Sequence, residues 1–261
     1  MSALSASIEG IGFWTNRLPS WQAACEYAAS GVLPDNTTAK PSPQLLAPNE
    51  RRRAPDTVAV ALEVALAACQ AAGRDPRTLP SVFASTHGEL SITDYMCTTL
   101  VDDPRAISPT RFHNSVHNAA AGYWTIGNGC VQATTAISAY DASFAQGLVE
   151  ALVQLTTGND AVLLAAYDTA GAGVLAPMSA TQGLLGGALV LSRTGGRGRI
   201  GLRATLVDGD APVGDGPLAR LIAGNAMAPM LPLFDALIAR ADIVLLKAGP
   251  DRMLRLEIAN D

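Results

Sequence analysis

The stretch Ile107-Ser-Pro-Thr-Arg-Phe-His-Asn-Ser-Val-His-Asn-Ala-Ala-Ala-Gly-Tyr-Trp-Thr-Ile126 holds the densest signal in the chain. Its Asn118-Ala-Ala-Ala-Gly122 run is made of small side chains that let a second backbone come close. His113 and His117 stand four apart. On a helix that spacing puts both on one face, which is how paired zinc ligands are often presented. No HExxH accompanies them, and the remaining histidine, His87, lies far upstream, so no metal site is expected. The plainer expectation for the pair is a polar helix surface or a subunit interface. Arg111, Phe112, Val116 and Tyr123 add bulky or amphipathic side chains to the same segment.

Outward from this segment, helical periods alternate with short Val, Ile, Leu and Ala runs, the pattern of an α/β protein with a largely buried sheet. Residues 5–14 read as a first strand. Residues 33–49, carrying Pro34, Pro41, Pro43 and Pro48, read as a surface loop. From Pro55 to Gly73 the apolar positions Val58, Ala61, Leu62, Ala65, Leu66 and Cys69 predict a helix with one buried face, leaving Glu63 and Gln70 off it. Residues 81–86 are strand-like and lead into a loop through Pro109. Residues 131–139 are strand-like, and 141–155 form a predicted helix capped by Asp141 with Phe144, Leu148, Leu152 and Leu155 on one face. Residues 161–167 and 185–191 are apolar strands. Thr194-Gly-Gly-Arg-Gly198 marks an expected boundary between a unit at 1–195 and a smaller one at 196–261. Beyond it come a strand at 201–207, a helix around 218–240, and strands at 243–247 and 253–258 joined by an Ala248-Gly-Pro-Asp251 turn.

Composition narrows the function classes. With 49% hydrophobic and 16% charged residues the chain has the makings of a sizeable core. A formal net charge of -5 and a single basic run, Arg51, Arg52 and Arg53, provide no footprint for nucleic acid. No apolar stretch is long enough for a membrane span, and the first residues lack the pattern of a secretory leader, so a cytoplasmic protein is expected. Cys25, Cys69, Cys97 and Cys130 are scattered without CxxC spacing and are expected to be small buried apolar residues. There is no GxSxG elbow, and Gly171-Ala-Gly173 lacks the third glycine of a dinucleotide loop, so hydrolase and dehydrogenase readings lapse.

The 107–126 segment resembles the SP-x-x-F-x-x-S-x-x-N-x-x-AG stretch of type II β-ketoacyl synthases and their chain-length factors. Further features stand in that family's order. They are the Arg51–Arg53 lead into a helix, the strand ending at Ser85-Thr-His-Gly88, a strand-to-helix elbow near Tyr140, and Gly186-Gly-Ala-Leu-Val-Leu191. The likeness covers roughly residues 1–195 and is strongest to the short ketosynthase-like proteins of aryl polyene and xanthomonadin-type pigment clusters. It implies a truncated thiolase-like fold, α/β throughout, with the first half nearly complete and the second compressed into 196–261. It also implies that the segment from Arg111 through Phe112, His113, Val116, His117 and Asn118 to Tyr123 lies at a partner interface near an acyl tunnel. By the same resemblance, Arg51, Arg52 and Arg53 meet the acidic face of an acyl carrier protein, although such a run is more often a solvated face.

Decarboxylative condensation needs a thiolate to carry the acyl chain and imidazoles to stabilise the enolate. By length, Ser138-Ala-Tyr140 falls where synthases have Thr-Ala-Cys, so Tyr140 replaces the thiol; an alternative alignment places Gln132 there. Cys130 lies a strand-length upstream. No histidine follows residue 117, so the HGT-type and GH-type motifs of the synthase second half are missing. The expected role is a non-catalytic, chain-length-factor-like subunit forming a heterodimer with an active β-ketoacyl synthase that works with acyl carrier protein, without cofactor or metal. The rival reading is a self-sufficient acyltransferase or thioesterase using Cys130 or Tyr140. A third is a homodimeric scaffold that binds acyl carrier protein.

Overall fold

A computed structural model describes residues 3–36, 38, 40–193 and 200–260. Strand β1 (Leu4–Thr15) runs through the middle of a sheet and is almost wholly buried beyond Ser5. On one side it pairs antiparallel with β5 (Leu185–Ser192), and on the other with β6 (Ile200–Asp208). Next to β5 come β4 (Ala161–Asp168), β2 (Ser81–Ala84) and β3 (Thr134–Ile137), the last three mutually parallel. Next to β6 come β8 (Arg252–Asn260) and β7 (Ile243–Gly249), a hairpin whose turn puts Asp251 at φ 51°. The described residues thus form one eight-stranded sheet in the order β3-β2-β4-β5-β1-β6-β8-β7, and strands from both sides of residue 195 pair within it. The Thr194–Gly198 stretch itself lies outside the described residues.

Alternation along the strands explains two cores. In β4, Val162, Leu164 and Ala166 face one way, and Ala161, Leu163, Ala165 and Tyr167 the other. Every residue of β4 and β5 is buried, as strands covered on both faces require. The first core gathers α1 (Trp21–Ser30), α7 (Ser143–Thr156), α8 (Pro217–Leu221) and α9 (Leu231–Ala239), with Phe234 at 5.6 Å from Phe13 and 5.7 Å from Trp21 between ring centroids. The second holds α3 (Asp56–Ala72) and α6 (Ala119–Asn128), with Phe83 beside Trp124 and Tyr167. Beyond β1 the described residues cover only one face. Leu202, Leu254, Leu256 and Leu246 are buried there, while Arg203 on the opposite face is exposed.

The α3 helix shows why β1 reads Glu9-Gly-Ile-Gly-Phe13. A methyl at Gly12 would stand 2.0 Å from the Val64 carbonyl oxygen, and one at Gly10 2.1 Å from that of Ala68. Helix backbone therefore lies directly on the strand. Expected to bury one face, α3 is instead buried nearly all round: Thr57 to Leu62, Val64, Ala65, Ala68 and Cys69 are enclosed, because α6 covers what the sheet does not. Glu63 is half-buried, and burial raises its carboxyl.

Several boundaries differ from the sequence reading. The expected loop before Pro109 contains α4 (Leu90–Asp102), and α1 was not expected. The expected 218–240 helix breaks at Gly224-Asn225, leaving α8 and α9, and the buried Asp235 of α9 caps α8 by accepting from the Leu218 and Ala219 amides at 2.9 and 3.0 Å. Asp141 caps nothing: α7 starts at Ser143, and Asp141 pairs with Lys247 at 2.7 Å. The cysteines divide. Cys69 and Cys130 are buried, with the Cys69 thiol pushed up to about 12 by burial, but Cys25 is half-buried and Cys97 exposed. Among the described residues, no helix is long and apolar enough to cross a membrane.

Candidate functional site

The parallel strands β2, β3 and β4 end on the same side of the sheet, the position at which open α/β sheets present their chemistry. From β3 the chain turns through Ser138, Ala139 and Tyr140 into a short 3-10 turn (Tyr140–Ala142) and then α7. Tyr140 stands at φ 54°, the left-handed region that bulky residues avoid, with its side chain 68% exposed. Neighbours hold that geometry. The Tyr140 carbonyl accepts from the hydroxyls of Ser143 at 2.6 Å and Thr86 at 3.2 Å, and Ser143 Oγ accepts from the Ala139 amide at 3.0 Å. Ser138 Oγ donates to the Thr86 carbonyl at 3.0 Å. Gln132 precedes β3 and is exposed, so it lies at the opposite end of that strand from the strand-to-helix junction.

The loop after β2 is anchored from beneath by Asp168, only 1% exposed at the end of β4. Its carboxylate accepts from Ser85 Oγ at 2.8 Å, the Thr86 amide at 2.9 Å and the His87 amide at 3.2 Å. Burial pushes this carboxyl up, and the donors pull it back. Asp168→Asn places an N–H₂ group among donors, and about 2–3 kcal/mol of stability should be lost. A urea midpoint that does not move counts against this anchoring role. Asn225, unremarked in the sequence, ties the 222–230 segment to the same region through Nδ2, which donates to the carbonyls of Gln182 at 2.9 Å and Asp168 at 3.3 Å.

The anchored loop sets His87 edge-on to Tyr140, with ring centroids 6.4 Å apart. Sequence distance hid this neighbour, and only the parallel β2–β3 pairing brings it there. His113 and His117 do not share a helix. The first belongs to α5 (Pro109–Asn114) and lies against Tyr123 at 6.1 Å; the second follows the turn before α6 and its Nε2 donates to the Ser85 carbonyl at 2.9 Å. No trio of metal-ligating side chains comes together among the described residues. Cys130 is buried with its sulfur 3.7 Å from the Leu79 carbonyl, well embedded and away from the elbow turn. A cavity of about 390 Å³ adjoins the elbow, lined mainly by Ala, Pro, Val and Leu side chains with Asn225 and the Asp141–Lys247 pair. Among the described residues, neither thiol nor imidazole lines it.

Along the outer side runs β3, whose only partner among the described residues is β2. The Ser81 amide bonds the Ala133 carbonyl at 3.0 Å and the Ser85 amide bonds that of Ile137 at 3.1 Å. Residues 133, 135 and 137 therefore turn their backbone groups inward, and Thr134 and Ala136 turn theirs outward. The apolar side chains of Val131 (93% exposed), shortly before β3, and of Ile126 (81%), Phe112 (59%) and Val116 stand in solvent. A hollow of about 580 Å³ beside it is lined by His117, Asn118, Ala121, Gly122, Thr125, Thr134 and Ala136. Arg111 lies 4.0 Å over the Tyr95 ring. Arg51 to Arg53 close α2 (Pro48–Arg53). Arg51 is half-buried and donates to the Leu46 carbonyl at 2.8 Å, while Arg52 and Arg53 are exposed.

Comparison with known proteins bears on this arrangement. The family model described as β-ketoacyl synthase, N-terminal domain, matches residues 21–203. No curated protein matches the chain by sequence. Among solved structures the chain is similar to the ketosynthase (ApeO) in complex with its chain length factor (ApeC) from Xenorhabdus doucetiae, with a TM-score of 0.77 at 20% identity, covering 97% of this chain and 99% of that one. It is similar to AntDE:AntF, a type II acyl-carrier protein in complex with its ketosynthase, with a TM-score of 0.74 at 13% identity over 100% of both chains. A β-ketoacyl synthase from Burkholderia phymatum STM815 matches with a TM-score of 0.60 at 14% identity, covering 92% of this chain but 71% of that one. The architecture is the thiolase-like ketosynthase fold, shortened relative to that synthase.

Proposed function

The chain belongs to the β-ketoacyl synthase family, and from that membership we propose that it is a non-catalytic, chain-length-factor-like subunit. In this reading it pairs with an active β-ketoacyl synthase in cytoplasmic type II polyketide or aryl polyene assembly and meets its acyl carrier protein. One observation carries the reading: at the strand-to-helix turn after β3 the left-handed residue is Tyr140. A synthase needs a thiolate at such a point to accept the acyl chain, with imidazoles opposite to stabilise the enolate. Here the elbow offers a phenol, and the adjoining cavity is lined by alkyl groups and one ion pair.

What remains useful is surface. The open edge of β3, the hollow beside α6 and the exposed Phe112, Val116, Ile126 and Val131 together make the kind of apolar, backbone-rich face that monomers seldom leave uncovered. An obligate partner on that face buries on the order of 2,000 Å² or more. The similar structures include a ketosynthase held by its chain length factor and a ketosynthase carrying its acyl-carrier protein, which supports a synthase as the occupant.

Co-expression with a full-length synthase from the same gene neighbourhood tests the proposal by elution mass. A one-to-one complex is expected, with condensing activity that disappears when the synthase's cysteine is replaced. Tyr140→Phe in this chain should leave the rate of the pair within about twofold. A chain that stays alone beside every synthase offered, or an acyl adduct on Tyr140 that the Phe variant loses, overturns it.

A further inference from the structure

From Ser91 to His113 the chain builds helical structure without burying a residue. Most of α4 and α5 lies in this stretch, yet each of its residues is half-buried or exposed, and none of its side chains enters either core. Its hydrogen bonds stay inside it or reach its own ends, as from the Ser91 hydroxyl to Glu89 and from Ser115 Oγ to the Phe112 carbonyl. Among the described residues, none runs from 91–113 to another element of the fold. What closes the stretch is internal. The Tyr95 hydroxyl accepts from the Ser108 amide at 3.1 Å, and Arg111 lies over the Tyr95 ring, so α4 and α5 fold into a hairpin. The body meets this hairpin loosely. A hollow of about 540 Å³ lies between Ser91, Ile92 and Thr110 on the hairpin and Lys40, Arg53 and Asp56 on the body. Asn114, which also lines that hollow, keeps its Oδ1 acceptor buried without a partner.

Such helices do not hold themselves. Helix α4 has 13 residues and α5 has 6, and isolated helices of that length are marginal in water unless an apolar face packs on something else. Here Leu100, Val101 (84% exposed) and Phe112 face solvent instead. Local stability is lowest where buried contacts are few and backbone is open to water, so this hairpin opens far more readily than the sheet unfolds. Its far end adjoins the proposed partner face. His117 and Asn118, which follow α5, line one hollow with Thr134 and Ala136 of β3. Area argues for one occupant across both. Strand β3 presents 4 residues, whereas a stable interface takes about 20–30 residues from each side. The hairpin brings the face to that size.

We infer that residues 91–113 are an arm that the partner synthase fixes in place: loosely held in the free chain, it is covered on pairing, with Leu100, Val101 and Phe112 against the synthase. This rests on the pairing proposed above. Hydrogen exchange on the purified full chain and on the co-purified pair tests it. In the free chain the amides of α4 and α5 should exchange at least about a hundredfold faster than those of β4 and β5, and pairing should slow them by about tenfold or more. Amides of α9, deep in the first core, should not change between the two samples. Cys97, exposed on α4, reports the same event by a second route, and its labelling by a maleimide should fall about tenfold in the pair. Leu100→Asp combined with Val101→Asp changes two exposed side chains, so the free chain should melt as before while pairing weakens about a hundredfold. A pair in which 91–113 exchanges and Cys97 labels as in the free chain overturns the arm and leaves the pairing intact. Exchange of α4 in the free chain as slow as that of β4, or pairing unmoved by the double change, overturns it as well. A chain that pairs with no synthase, by elution mass, overturns both.

Discussion

Gly12→Val should leave no folded protein to purify. The β-carbon it adds falls 2.0 Å from the Val64 carbonyl oxygen and 2.9 Å from the carbonyl carbon behind it. Both are helix backbone, so no rotamer change relieves the overlap. Strand β1 is pinned in turn by β5 and β6, so either α3 lifts off the sheet or the central strand leaves it. Overpacking of side chains typically costs about 1–3 kcal/mol, and a clash with fixed backbone in the middle of two cores exceeds that. Even Gly12→Ala should lose about 3 kcal/mol or more, a large fraction of the 5–15 kcal/mol that holds a typical domain together. Gly31→Ala is the control. It sits at φ 71° with nothing near its missing methyl, and should cost only about 1 kcal/mol for the left-handed backbone. Urea midpoints of the two alanine variants measure the difference, and equal midpoints would show that α3 has room to move.

Ala136→Pro should dissolve the proposed pair while sparing the fold. The Ala136 amide faces outward, since Ala133 and Ile137 use their carbonyls toward β2. Proline there removes a donor on the free edge and leaves the β2 ladder intact, which is where sheets tolerate it. A partner that continues the sheet or packs along this edge loses a hydrogen bond and meets a pyrrolidine ring. Paired with Val131→Asp, which sets a charge on a side chain now 93% exposed, the loss should reach about a hundredfold in affinity. The elution profile should move from a complex to two separate chains, while the circular dichroism of this chain stays unchanged. A complex that survives both changes places the synthase elsewhere on the molecule.

The strands were legible because burial on both faces leaves continuous apolar runs, as at 161–167 and 185–191, and such runs survive any arrangement of neighbours. Helix α3 was legible in extent, from Pro55 to the left-handed Gly73, but not in burial, since a second apolar face looks like noise until α6 is known to cover it. Helix α4 escaped because most of its residues are exposed or half-buried and carry no periodic stripe; only Leu90 is enclosed. The single helix expected across His113 and His117 fails at Asn114-Ser115, where the chain closes α5 before α6 begins. At the site, a strand-to-helix turn after residues 134–137 was legible from one strand and one helix. His87, Asp168 and Asn225 could not, because parallel pairing and a long connection, rather than any local pattern, bring them to the same end of the sheet.

The central position of β1 has a consequence for how the protein is made. Residues 4–15 leave the ribosome well before both neighbours of that strand, 185–192 and 200–208. Until then Ile8, Phe13 and Trp14 have no lasting shelter, and the nascent chain carries an open, apolar strand until residues 185–208 have been made. Closure over so long a separation is slow, so holdase capacity in the expression host, rather than final stability, should govern the yield of soluble protein.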